Sequence, residues 1–397
     1  MNCVLLASAQ GGVSPVADKP LFRVHRTQLL PALDAACAGS ERGAQIPILS
    51  HVLLRPEADQ LRLRGTDLNI EIEALCDLLE PGGEMGIALA ATDMLALVKS
   101  LPESAEIDFL AGKYDGQIVM RTKASRFTLL SLPEADFPSI SSKIAGDPFS
   151  LDVAPLISAI GKVSFAIEKA DTGRPYTLGI YLAPEQDGDR LLVAATNTRS
   201  LGSVRLRTQT AAKFDPVIIP GKLAQTMRKL FSDEKTAATL TISDHLMRVS
   251  CGAVSIFSRL IDGDFPVKIF ETLPEVPDHD IVVPVDALKS AVRRTLLVAG
   301  DHMKEGVRLS LQEGLLRLEL VTMQGESAIE NVPVDFTGKS DFSIGLNGKL
   351  IEGVLDSIAT TDVRLGLTAA RNTVFRPTAE IDDTFAIAPM NARGVDL

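Results

Sequence analysis

Two ten-residue stretches concentrate positive charge without a single acid. ALKSAVRRTL (287–296) carries Lys289, Arg293 and Arg294, and KLAQTMRKLF (222–231) carries Lys222, Arg228 and Lys229. Lysine and arginine at this density suit the binding of phosphate, a contact insensitive to base sequence. Lys289 and Arg293 are four residues apart, so on a helix they share a face and repel by a few tenths of a kcal/mol. Something outside the helix is therefore expected to compensate them. The chain as a whole is acidic, with formal charge −11 and a pI of about 5.1. Taken alone, that average argues against a nucleic-acid binder, whose usual footprint is a basic face, but it does not say where the cations sit. Aromatic residues able to stack on bases are scarce, with no Trp and three Tyr. This speaks against a single-strand platform and for intact duplex.

No catalytic constellation accompanies these cations. PGK (220–222) and NGK (347–349) lack both the first glycine and the Ser/Thr of a phosphate-binding loop, and each reads as the end of a strand and the start of a helix. No GxGxxG, GxSxG or HExxH occurs. The cysteines Cys3, Cys37, Cys76 and Cys251 and the histidines His25, His51, His245, His279 and His302 are scattered without ligand spacing. No metal, cofactor or disulfide framework is expected, and a reducing, cytoplasmic setting follows. No apolar run approaches the roughly 18 residues of a membrane span. Residues 1–20 lack the basic start of a signal peptide and are expected to form a disordered extension.

The elements that would carry the cations recur three times. FRVHRTQLLPAL, FSLDVAPLISAI and IVVPVDALKSAV, starting at Phe22, Phe149 and Ile281, align without a gap. Leu29, Leu156 and Leu288 share one position, Ala32, Ala159 and Ala291 a second, and Leu33, Ile160 and Val292 a third. Thr66, Thr196 and Thr322 follow the aligned leucines by 37, 40 and 34 residues, and Pro138, Pro266 and Pro389 follow the threonines by 72, 70 and 67. A unit this long is a domain rather than a solenoid repeat. The pattern within each unit predicts a short strand, a helix, a β-meander, a second helix and closing strands. Two helices and about eight strands per domain give an α+β fold, with helices on one face of antiparallel sheet. Pro-, Ser- and Asp-rich stretches at 138–148 and 271–280 place the domains at 21–144, 145–274 and 275–397.

The ordered segments IPILSHVLL (46–54), LRLRGTDLNIEIE (61–73), SRFTLLSLPEADFP (125–138), ATNTRSLG (195–202), SRLIDGDFP (258–266), EGVRLSL (305–311) and AIAPM (386–390) resemble the bacterial sliding clamp family, the β subunit of DNA polymerase III. The resemblance covers about residues 21–392. It implies a non-catalytic processivity subunit: a head-to-tail homodimeric ring of six similar domains, helices lining a bore that encircles double-stranded DNA. An acidic exterior would discourage DNA from sticking outside, over a screening length of roughly 8 Å. Implied partners are the replicative polymerase catalytic subunit, the clamp loader, repair polymerases and mismatch-repair proteins. They would dock through short Gln/Leu/Phe motifs.

By position, the resemblance puts the peptide pocket at Arg174, Tyr176, Thr177, Leu178, Thr196, Arg199, Leu201, Pro266, Leu273, Ile387, Pro389 and Met390. It adds Arg42, Arg174 and Tyr176 to the basic helices as DNA contacts, and it pairs first-domain Phe127 with third-domain Leu296 and Leu297 at the dimer interface. Two departures fall in the pocket. The family's Thr-Asp-x-His-Arg-Leu is Thr196-Asn197-Thr198-Arg199-Ser200-Leu201 here, and the tail runs on past Met390. The alternatives to a DNA-encircling clamp are a clamp-fold hub that docks peptides but is poorly loaded on DNA, and an enzyme of unrelated fold.

Overall fold

The structure is a computed structural model that describes residues 19–80, 82–140, 144–185, 188–299, 306–337, 340–369, 371–379 and 382–392. The expected extension at residues 1–20 lies almost wholly outside these. Six α-helices occur among the described residues: α1 (Arg26–Cys37), α2 (Ala91–Ser100), α3 (Val153–Val163), α4 (Gly221–Phe231), α5 (Val285–Ala299) and α6 (Gly348–Asp356). They pack as pairs, α1 on α2, α3 on α4 and α5 on α6. The first helix of each pair also lies across a meander: α1 on strands Gln60–Thr66 and Ile70–Asp77, α3 on Arg190–Thr196 and Ser200–Arg207, α5 on Leu315–Val321 and Ser327–Pro333. The nine repeat-aligned residues at the Leu29, Ala32 and Leu33 positions are all buried in these layers. The α+β reading of the sequence is therefore the observed architecture.

The repeated threonine has a local job. Thr66 and Thr196 close a turn at the end of a strand, each hydroxyl donating to the carbonyl four residues on (Ile70, 2.9 Å; Ser200, 2.8 Å). Thr322 instead accepts from the amide of Glu326 at 3.0 Å. All three are buried. In the first two turns the next residue completes the structure: Asp67 Oδ1 accepts from the amides of Asn69 (2.9 Å) and Ile70 (2.7 Å), and Asn197 Oδ1 from those of Arg199 (3.0 Å) and Ser200 (2.7 Å). Leu68 and Thr198, in the middle of these turns, are held at φ 74° and 71°, a region costly for side chains with a Cβ.

The described residues fall into two compact units, residues 1–146 with 238–259, and residues 147–237 with 260–397. In the first, antiparallel sheet runs through the meander His51–Glu57, Gln60–Thr66, Ile70–Asp77 and continues into Val254–Arg259, with Ile72 opposite Ile256. Gly39 and Gly65 let α1 approach this meander, because a Cβ on Gly65 would stand 2.1 Å from the carbonyl oxygen of Ala36. In the second, an eight-stranded sheet joins the meander ending in Ser200–Arg207 to Thr384–Ile387, with Leu201 opposite Ala386. The same join, third meander strand to the last strand of the next repeat, is thus made twice. A separate four-stranded sheet holds the third meander, and among the described residues its strand Ser327–Pro333 is bonded on one side only. In the first unit, strand Arg126–Leu132 has its Arg126–Leu130 edge, opposite Gln117–Arg121, unpaired among the described residues.

Candidate nucleic-acid and peptide interfaces

The cations of α5 are already answered from within the chain. Lys289 Nζ lies 2.5 Å from Asp356 Oδ1, Arg293 reaches Glu352 at 3.0 Å and Asp356 at 3.2 Å, and Arg294 grips both Glu330 oxygens at 2.8 Å. Lys349 adds a contact to Glu352 at 2.9 Å. The Glu352 carboxyl is accordingly held below the usual range, by hydrogen bonds from Lys349 and then Arg293 that outweigh partial burial. Arg294 does the same to Glu330. The compensation expected from the sequence is therefore supplied by α6 and an edge strand. These acids lie 36 to 63 residues from their arginines, which is why they are not visible along the helix.

Helix α4 differs. Lys222, Gln225, Arg228 and Lys229 form its exposed face, while Leu223, Ala224, Met227 and Phe231 are buried. Arg228 and Lys229 have no carboxylate within ion-pair distance among the described residues. They line a cleft of about 690 Å³ with Lys162, Gln225, Asp356 and Ser357. Lys162 was not singled out from the sequence, although extending the gapless repeat by two residues aligns it with Arg294. It pairs with Asp383 at 2.7 Å. Arg42 and Arg174, assigned to DNA by resemblance, are exposed.

The peptide-pocket residues divide into a frame and a surface. Thr177, Thr196, Leu201 and Ile387 are buried. Thr196 holds its turn, Thr177 Oγ1 donates to Arg174 O at 2.8 Å, and Leu201 and Ile387 sit in the paired strands Ser200–Arg207 and Thr384–Ile387. Arg174 and Arg199 are exposed, and Tyr176, Leu178, Pro266, Leu273, Pro389 and Met390 are half-buried. Tyr176 meets Phe265 edge-on at 6.3 Å, and Phe265 stacks on Tyr181 at 4.4 Å, with Phe270 at 6.4 Å. Ile261, Ile269 and Leu192 pack on the same cluster. The Arg199 guanidinium reaches Glu168 at 3.1 Å, and the Glu168 amide donates to Thr177 O at 2.8 Å, tying the two edges together. A small cleft opens between Thr198, Arg199, Leu201, Ile269, Asn372 and Ala388. Beyond it the Met390 amide donates to Gly345 O at 2.8 Å. The arrangement offers apolar and aromatic walls with a few directed polar groups, the composition of a peptide groove. Phe265 and Ile269 were missed from the sequence, where an aromatic before Pro266 reads as core.

Of the interface residues, Leu297 is 79% exposed on α5, Phe127 is half-buried in strand Arg126–Leu132, and its neighbour Leu130 is 75% exposed. Leu296 is spoken for: a Cβ on Gly348 would come within 2.6 Å of its Cδ2. Among the described residues no group of three or more His, Cys, Asp or Glu side chains could hold a metal ion, and no helix is long and apolar enough to cross a membrane.

Sequence profiles of the DNA polymerase III beta subunit match residues 21–141 (N-terminal domain), 150–267 (central domain) and 271–391 (C-terminal domain). The beta sliding clamp of Pseudomonas aeruginosa is 31% identical over 374 residues, covering 93% of this chain and 99% of that protein. That of Pseudomonas putida is 30% identical over 371 residues with the same coverage. The crystal structure of the Pseudomonas aeruginosa sliding clamp bound to griselimycin superposes with a TM-score of 0.87 at 29% identity, over 93% of this chain and 99% of that one. With three consecutive domain matches and relatives aligned end to end, this chain belongs to the DNA polymerase III beta subunit family of DNA sliding clamps.

Proposed function

We propose that two copies of this chain close head to tail into a ring that encircles duplex DNA and tethers its polymerase, with no catalytic step of its own. The observation that carries this reading is the repeated join. Third meander strand to last strand is paired twice inside the chain, at Ile70–Asp77 with Val254–Arg259 and at Ser200–Arg207 with Thr384–Ile387. Its third instance would join Ser327–Pro333 to Arg126–Leu132, and both present free edges. Unpaired edges flanked by exposed Leu130, Leu297 and Ile329 call for a partner strand. A second copy supplies it twice over, giving a closed twofold assembly. The domains are then the three repeats, 21–144, 145–274 and 275–397.

The groove around Tyr176, Phe265, Arg199, Pro266 and Pro389 is the proposed dock for Gln/Leu/Phe motifs of the replicative polymerase catalytic subunit, the clamp loader, repair polymerases and mismatch-repair proteins. The griselimycin complex of the Pseudomonas aeruginosa clamp supports ligand binding on this fold. The test is primer extension by the cognate replicative polymerase on a long primed circular template with its loader. The chain should lengthen products per binding event, and a version lacking Pro389–Leu397 should not. Equal product lengths with and without the chain would defeat the proposal.

A further inference from the structure

We infer that the phosphate-holding surface of this clamp is confined to the middle repeat, on α4, and that one glycine, Gly161, creates it. The inference rests on the clamp reading above and assigns where the backbone of the duplex is gripped.

The helix charges of the three repeats are unequal. On α1 and α2, Arg26 and Lys99 are matched by Asp34 and Asp93. On α5 and α6, Lys289, Arg293, Arg294 and Lys349 face Asp286, Glu352 and Asp356, leaving one excess cation that Glu330 answers through Arg294. On α3 and α4 stand Lys162, Lys222, Arg228 and Lys229 with no acid on either helix, and Asp383 answers Lys162 from outside them.

The repeat alignment locates the difference. Asp34, Gly161 and Arg293 occupy one position of the first helix, while Lys99, Arg228 and Leu355 occupy one position of the second. In the first repeat these positions form an ion pair, Lys99 to Asp34 at 3.0 Å. The middle repeat has glycine where the first has the acid. A Cβ on Gly161 would lie 3.6 Å from Arg228 Nε, so the two positions still face one another, and the arginine is left without its carboxylate. Lys229 likewise stands where the third repeat has Asp356, and Gln225 where it has Glu352. The one acid lining the cleft beside Arg228 and Lys229, Asp356, is already engaged by Lys289 and Arg293. An exposed, uncompensated guanidinium and ammonium bordering an open cleft fit a phosphodiester. The first and third repeats then act as neutral spacers, which keeps contacts few enough for sliding.

The test is fluorescence anisotropy of a labelled 30-base-pair duplex against the full chain across salt. Gly161→Asp places the acid of the first repeat here, and its Cβ would meet Arg228 at ordinary contact distance. Gly161→Asp and Arg228→Ala/Lys229→Ala should lower the slope of log affinity on log salt by about 0.9 per phosphate contact removed. For two contacts this is a ~12-fold smaller affinity loss between 50 and 200 mM salt. Gly161→Ala and Arg293→Ala/Arg294→Ala should keep the parent slope. If the parent binds but the Arg228/Lys229 variant keeps its slope, or the Arg293/Arg294 variant loses as much, the assignment is overturned. If the parent shows no salt-dependent affinity for duplex, the α4 assignment is overturned, while the ring reading, which rests on closure, is tested separately by retention on circular DNA. Circular dichroism of each variant separates loss of contact from loss of fold.

Discussion

Asn197 holds the turn at the edge of the peptide groove, and its replacement can be worked out atom by atom. Its Oδ1 accepts from the Arg199 amide (3.0 Å), the Ser200 amide (2.7 Å) and the Ser200 hydroxyl (3.0 Å). Ser200 is 3% exposed, so Asn197→Ala strands two donors where water cannot replace the acceptor. Each buried orphan costs about 1–3 kcal/mol, and the amide of exposed Arg199 loses about 0.5–1.5 kcal/mol. The sum is about 2.5–7.5 kcal/mol, against a turn already strained at Thr198 (φ 71°). The damage should spread to the groove, because the Arg199 carbonyl accepts from the Ala388 amide at 2.8 Å and so ties the tail to the turn. Asn197→Asp keeps every acceptor, as Asp67 does in the first repeat, and should stay within about 1 kcal/mol of the parent. The chain has no Trp, so urea unfolding is followed by circular dichroism, with fluorescence polarisation of a Gln-Leu-Phe peptide as the second readout. The prediction is a large loss of stability and at least tenfold weaker peptide binding for Asn197→Ala only. An alanine variant within 0.5 kcal/mol of the parent, or an aspartate variant as damaged as the alanine, would refute the reasoning.

Three further outcomes follow from particular residues. Thr198→Gly removes a β-branched residue from the left-handed region, worth about 1–2 kcal/mol, against about 0.5–1 kcal/mol of glycine's extra chain entropy. A net gain near 0.5–1 kcal/mol in urea titration is expected, and a loss would mean the turn carries no strain. Leu297→Asp should give monomers in sedimentation velocity, since Leu297 is 79% exposed on α5, the helix that packs on strand Ser327–Pro333. Leu296→Asp would instead disturb the packing on Gly348, so a dimeric Leu297→Asp protein would move the interface elsewhere. Burial pushes the Asp108 carboxyl up, but the hydrogen bonds from Arg23 (2.6 Å) and Arg121 (2.9 Å) outweigh it and hold it below its usual value. A carboxyl depressed in the folded state adds stability above its unfolded pKa of about 3.9, and that stability fades as pH falls through the lower folded value. Asp108→Asn should therefore be less stable than the parent at neutral pH, with the gap closing in acid. A gap constant down to about pH 2 would show that the ion pairs do not act through titration.

The repeat made most of the architecture legible. Leu29, Leu156 and Leu288 recur because each must fill the same seat between helix and meander, so periodicity and burial are one signal. Thr66 and Thr196 were visible as markers, but their turn-closing role was not. That role depends on carbonyls four residues on and on the buried Asx side chains beside them. The charge on α5 read as a phosphate-binding face, because Glu352 and Asp356 are distant in sequence and meet Arg293 only once α6 packs on α5. Neutrality there is a tertiary property. The α4 cations were visible from the same pattern, and what set them apart was an absence on a different helix, at Gly161. In the groove, the resemblance supplied both frame and surface residues without distinguishing them. Phe265 was hidden because a buried aromatic in a core and one flooring a groove have the same local sequence.

The central claim is topological, and one measurement addresses it directly. The chain is loaded by its clamp loader onto a nicked circular plasmid, and retention is followed by gel filtration before and after the circle is cut once. A ring should remain on the circle through high-salt washing and leave within minutes of linearisation, because its phosphate contacts are weak and only closure holds it. Equal retention on circular and linear DNA, or loss from the circle in high salt, would contradict encirclement.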